Sequence, residues 1–248
     1  VKYIFSWRIS LGLFLIILSL LGYLLHYAVF RDLHHIMIYL VGDIAFVFLE
    51  VLLVTLVLHE LLHYREKKTM MRKLNMVIGA FFCEAGTELL RMFSSFDTHA
   101  RQITKDLIVR EAWSKKDFLK ALKETSLHNF NIESGNDSLE QIKDFLKQRR
   151  QFLLNLLENP NLLEHEAFTD LLWAVFHLAE ELLQRRSLKG ISDADRAHLN
   201  GDIKRVYRLL IIQWLQYMEH LKENYPYLFS LEMRSNPFDE SASAEIAQ

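Results

Sequence analysis

Hydrophobic residues follow two different patterns along this chain. Residues 11–58 are almost continuously apolar, whereas beyond them apolar residues recur at helical spacing among charged ones. The continuous region holds two runs. Leu11 to Phe30 is 20 residues long, which as a helix reaches about 30 Å, the thickness of a bilayer core. Ile36 to Leu58 is long enough to cross with some tilt. Only Arg31-Asp32-Leu33-His34-His35 lies between them, so the pattern predicts a tight antiparallel transmembrane hairpin. The first run is read as a retained anchor. It exceeds the usual apolar length of a cleaved leader, no small-x-small site follows it, and a second run comes at once.

Beyond residue 64 the spacing predicts helices with legible ends. Leu74, Val77, Ile78, Phe81, Phe82, Ala85, Leu89 and Phe93 form one stripe. Gly79, Cys83 and Gly86 add a small-residue strip, and the segment is expected to pack beneath the membrane or lie in its interface. Ser114 with Asp117 caps a helix, and Ser138 with Gln141 reads as a capping box for the next. Asn159-Pro160 stops that helix. Another runs through Phe168, Leu171, Leu172, Val175, Leu178 and Leu182 to near Gly190, and a last long one runs from Ser192 to Pro226. The predicted fold is all-α: a transmembrane hairpin over residues 1–64, a basic juxtamembrane segment with an amphipathic helix over 65–97, a cytoplasmic helical bundle over 98–234, and a loosely ordered tail over 235–248.

Composition sharpens this picture. Eight glycines and three prolines in 248 residues favour long helices over turns and strands. A net charge of −2 gives no reason to expect a nucleic-acid partner. Cys83 is the single cysteine, which excludes an internal disulfide and a cysteine-based zinc site. Basic residues orient the hairpin. Arg65, Lys67, Lys68, Arg72 and Lys73 follow the second run, Lys2 and Arg8 precede the first, and the connector holds Arg31 beside Asp32. Both termini are therefore expected in the cytoplasm, in a multi-pass protein of the inner (plasma) membrane.

Several residues could carry chemistry. Asp43 and Glu50, seven apart, share one face of the second run. An ionisable group in hydrocarbon usually faces protein or a cavity. Tyr23, at the depth of Asp43, is the expected hydrogen-bond partner, with an ion path through an oligomer as the alternative. His59-Glu60-Leu61-Leu62-His63 fits H-E-x-x-H. On a helix the two histidines could bind zinc, with Glu60 as general base and Glu84 as third ligand. That spacing resembles the gluzincin metallopeptidases. The expectation here is no metal: the charged run Arg65 to Lys68 follows directly, and an unbroken helix would place Glu84 about 30 Å from His63. Only a turn near Thr69 would bring them together. His177 and Glu181, one turn apart, suggest a di-metal bundle, but that class requires the Glu-x-x-His spacing on two helices, and it occurs only at Glu60–His63. They read as the polar flank of their helix. Trp214, Tyr217 and His220 read as packing.

Residues 173–182, beginning at Trp173, and 224–239 resemble segments of uncharacterised prokaryotic two-transmembrane proteins with helical cytoplasmic domains. The resemblance implies a bacterial or archaeal membrane and brings no activity. In the second segment Tyr225, Tyr227, Phe229 and Phe238 beside two prolines suggest an ordered cap or a docking site for a partner. The function expected first is a membrane-anchored scaffold, sensor or regulator acting through interaction, with the lipid bilayer and a second copy or another protein as partners and no cofactor. A zinc metallopeptidase and a small oligomeric channel or transporter subunit are the alternatives.

Overall fold

The computed structural model describes residues 2–162, 165–243 and 245; the side chains of residues 2–6, 8, 67–70, 72 and 161 lie outside this description. The chain divides into two compact units, one ending at Lys67 and the other beginning at Lys68.

In the first unit α1 spans Lys2–Phe30, and α2 begins at Leu33 and is helical as far as Phe81. The connector is shorter than the five residues expected. Arg31 turns into the left-handed region at φ 51°, and Asp32 caps α2 by accepting from the His35 amide at 3.1 Å. Two stretches are long and apolar enough to cross a membrane: Ile9–Phe30, of 22 residues with mean hydropathy 2.2, and Leu33–Glu66, of 34 residues with mean hydropathy 2.4. Within the apolar windows that define them, no residue is buried by the chain itself.

The second unit is a helical bundle. After α2 comes one π-helical turn, Phe82–Gly86, then α3 Thr87–Phe96, α4 Ala100–Leu107, α5 Lys115–Leu127, α6 Asn136–Leu157, α7 Glu166–Gln184, α8 Asp193–Asn224 and α9 Pro226–Arg234. Among the described residues no strand forms, and the nearest approach to one is an isolated bridge between Asp97 and Ile132. Helix α8 is the centre: α3, α5, α7 and α9 all pack on it. Its buried side includes Leu199, Ile203, Val206, Tyr207, Leu210, Ile211, Trp214 and Met218. The expected stripe of α7 is wholly buried. Ser114 and Asp117 form their capping box, with the Ser114 amide 2.6 Å from the Asp117 carboxylate. Ser192 caps α8 through the Asp195 amide.

Three expectations are corrected. The segment 65–97 is not a separate layer: from Leu74 onward it supplies Ile78, Phe81, Phe82, Leu89, Leu90 and Phe93 to the bundle's own core. Phe81 meets Phe168 edge-on at 5.4 Å, and Phe82 stacks on Tyr217 at 5.4 Å. Gly79 permits this approach, since a Cβ there would stand 3.1 Å from the Tyr217 hydroxyl. Cys83, by contrast, is exposed. Helix α6 starts at Asn136 behind Gly135, so Ser138 lies inside it and makes no box with Gln141. The tail is held at its start, where Asn236 and Phe238 are buried; residues 244 and 246–248 lie outside the described residues.

Candidate functional site

Tyr23, Asp43 and Glu50 are exposed. No hydrogen bond joins Tyr23 to Asp43, and among the described residues neither Asp43 nor Glu50 has an ion pair or hydrogen bond. What polar contact there is lies at the turn, where the His26 ring stands 5.8 Å from His35 and His35 packs edge-on against Tyr39 at 4.8 Å.

His59 and His63 lie one turn apart on α2 with their rings parallel and 6.4 Å between centroids. The helix continues through Thr69. Glu84, the third candidate, is on the π turn of the bundle, where Arg149 donates to its backbone carbonyl at 2.8 Å and stands 3.8 Å from its carboxylate. Among the described residues no group of three or more His, Cys, Asp or Glu could hold a metal ion.

The densest polar constellation lies on the bundle, between α7 and α8. His177 and Glu181 project from α7; His198 and Asp202 project from α8. The pairs His177–Asp202, Glu181–His198 and Arg185–Asp195 run in opposite sense along the two helices, which fixes them as antiparallel neighbours. Arg185 bridges Glu181, at 2.8 Å, and both oxygens of Asp195, at 2.7 and 3.1 Å. The Arg185 hydrogen bond holds the Glu181 carboxyl below the usual range, and the same guanidinium does so for Asp195. Asp202 is 4 % exposed, and its Oδ2 accepts no hydrogen bond.

Two further polar features serve the fold. Buried Asp97 ties the α3–α4 turn to the loop after α5, accepting from the amides of His99 and Asn131 at 3.0 Å each. A cleft of about 460 Å³ is lined by Asn75, His165, Gln213, Gln216, Tyr217 and His220, with Asn75 and Asn224 both hydrogen-bonded to the His220 ring.

The comparisons place this architecture. A family model described as "Uncharacterized protein MJ1433, C-terminal helical domain" matches residues 70–234, and one described as "MJ1433, N-terminal helical domain" matches residues 2–62. This chain belongs to the MJ1433 family. It is 45 % identical to "Uncharacterized protein MJ1433" of Methanocaldococcus jannaschii over 233 residues, 94 % of each chain. No solved structure matches. The two MJ1433 family models separate between residues 62 and 70, where the two compact units also divide.

Within this MJ1433-family fold the C-terminal aromatics have divided roles. Phe229 and Phe238 are buried, Phe238 edge-on against Trp214 at 5.2 Å, while Tyr225 is half-buried and Tyr227 is 71 % exposed. Burial removes Phe229 and Phe238 from the four aromatics weighed for docking and leaves Tyr227 at the surface. Sequence reasoning reached His177 and Glu181 but missed His198 and Asp202. The signal was present as His-x-x-x-acid written twice, at 177–181 and 198–202, on either side of a turn.

Proposed function

We propose that the chain is a membrane-anchored protein whose helical bundle works on the cytoplasmic side as a scaffold, sensor or regulator, through interaction with other proteins. The observation that carries this reading is the pair of long apolar helical stretches with no residue buried in their apolar windows. Apolar surface of that extent does not remain in water, and a helix satisfies its own backbone in lipid. The bundle has its own core and needs no such cover. Orientation rests on Arg65 to Lys73 following the second stretch, against Arg31 offset by Asp32 in the turn. The inner membrane is the expected location.

Asp43 and Glu50 support a homo-oligomer. Both face outward from an apolar helix without an intrachain partner, and a neighbouring copy would supply one. If the assembly conducts, the channel or transporter reading takes precedence. Flux into liposomes lost in Glu50→Gln with assembly intact would establish it, and absence of flux in the unaltered protein would remove it.

The test of the main reading is direct. The protein should stay with membranes through alkaline carbonate washing. Reporter fusions at residue 33 should read periplasmic and at residue 240 cytoplasmic. Release by carbonate would end the anchoring proposal, and a periplasmic signal at residue 240 would reverse the orientation.

A further inference from the structure

Basic side chains are unevenly spread along this protein. Residues 101–124 hold seven Lys and Arg against four Asp and Glu, in a chain whose net charge is −2. Among the described residues none of those seven cations makes an ion pair or a side-chain hydrogen bond, whereas Arg149, Arg150, Arg185 and Arg205 elsewhere on the bundle each stand on a carboxylate. Three of the seven, Lys105, Arg110 and Lys120, line one cleft of about 420 Å³ formed by the end of α4, the loop 108–113 and the first two turns of α5. Asp106 and Asp117 line it too, but the Asp117 carboxylate is taken by the Ser114 amide and hydroxyl, at 2.6 and 2.7 Å. Trp113 gives the cleft an apolar wall, fixed by its edge-on contact with buried Phe118 at 5.0 Å. The loop itself is anchored. Val109 is buried, Asn236 donates to the Leu107 carbonyl at 3.0 Å, and Lys222 donates to the carbonyls of Glu111 and Trp113.

We propose that this cleft binds a phosphate-bearing ligand, with Lys105, Arg110 and Lys120 on the phosphate and the Trp113 indole against the group that carries it. A phosphate presents several charged oxygens and takes donors from more than one Lys or Arg at once. Three cations with no carboxylate partner on one concave surface answer that need and attract anions from a distance. The volume lies in the range of small-ligand sites, enough for a phosphorylated nucleoside or a lipid headgroup. The indole offers a flat apolar face to either, and Asp106, whose carboxylate makes no hydrogen bond among the described residues, supplies an acceptor for a hydroxyl or amino group. Because Lys222 and Asn236 already hold the loop, binding costs little ordering of the backbone. The cleft lies wholly within the second unit and does not depend on the anchoring reading.

The experiment is calorimetry on the full chain in neutral detergent micelles at fixed ionic strength. Three probes are titrated separately: ADP, pyrophosphate, and dioctanoyl phosphatidic acid added to the micelles. One ADP per chain should bind, more tightly than pyrophosphate, and Trp113→Leu should remove that difference. The double variant Lys105→Gln/Lys120→Gln should weaken binding by at least about tenfold, since two charge-assisted contacts are lost, and Arg110→Gln should act in the same direction. All three side chains are exposed, so their loss leaves the fold intact. Lys147→Gln/Lys189→Gln, at exposed lysines outside the cleft, should bind as the unaltered protein does. Saturable binding of phosphatidic acid alone, lost in the Lys105/Lys120 variant, would uphold the site and name a lipid headgroup as the source of the phosphate. No saturable binding of any of the three probes would overturn the proposal. So would binding that survives the Lys105/Lys120 variant, or binding lost equally in the Lys147/Lys189 variant. A preference for ADP that survives Trp113→Leu would remove the indole from the site.

Discussion

Asn236 shows how much a single polar side chain can hold in this fold. It is 2 % exposed. Its amide donates to the Leu107 carbonyl at 3.0 Å, and its side-chain oxygen accepts from the Phe238 backbone at 2.9 Å. It thus fastens the last packed residues to the end of α4 and sets Phe238 against Trp214. Asn236→Ala leaves two buried backbone groups unmatched and is expected to destabilise by about 2 kcal/mol. Phe238→Ala removes a buried ring and opens a cavity beside Trp214, so about 3–5 kcal/mol is expected. Thermal unfolding of the two variants beside the unaltered chain would check both figures. Unchanged stability in Phe238→Ala would show that the cap is not part of the core. Gly86 acts at the same scale: a Cβ there would stand 2.6 Å from the Phe82 ring and 2.9 Å from that of Phe81, and its absence lets both rings turn inward on the π turn.

At the level of elements, burial makes the junctions between helices pH-sensitive. His128, after α5, has its pKa lowered from 6.5 by burial, which outweighs the opposing carboxylate of Asp97. His220 near the end of α8 is lowered by burial too, against a weaker pull from Glu223. A histidine held neutral in the fold takes up its proton only on unfolding. Between its folded pKa and about 6.5 the unfolded chain binds more protons, so stability rises with pH through that window and falls as the medium is acidified through it. Glu232 on α9 opposes this trend. Burial raises its carboxyl above 4.5, so its share of stability declines as pH rises from there. The melting temperature is expected to be lower at pH 5.5 than at 7.5, with a smaller difference in His128→Gln. An equal pH dependence in that variant would remove His128 from the account.

For the whole molecule, the two units differ in what completes them. The apolar windows of the first bury no residue internally, whereas the second encloses one continuous core from Leu74 to Phe238. A fragment of residues 68–248 is therefore expected to fold without detergent and to melt cooperatively. A fragment that is helical yet melts without a transition would show that the bundle depends on the preceding helix. The break between the two family models at residues 62–70 falls where this cut would be made.

The sequence alone determined the two apolar helices, the all-α class, the Ser114 and Ser192 caps, and the buried face of α7. Each of these is local: length and apolarity suffice for a helix in lipid, a cap is settled within one turn, and a 3.6-residue period shows which side of a helix is apolar. Tertiary structure decided what lies against that side. It drew residues 74–96 into the bundle core, left Cys83 outside, and turned Phe229 and Phe238 inward from a segment whose aromatics had suggested docking. It also aligned His177 and Glu181 with His198 and Asp202. A period marks a polar flank without showing what faces it, and only the antiparallel register of α7 and α8, set by packing on both sides of a turn, brings the four side chains into one set of ion pairs.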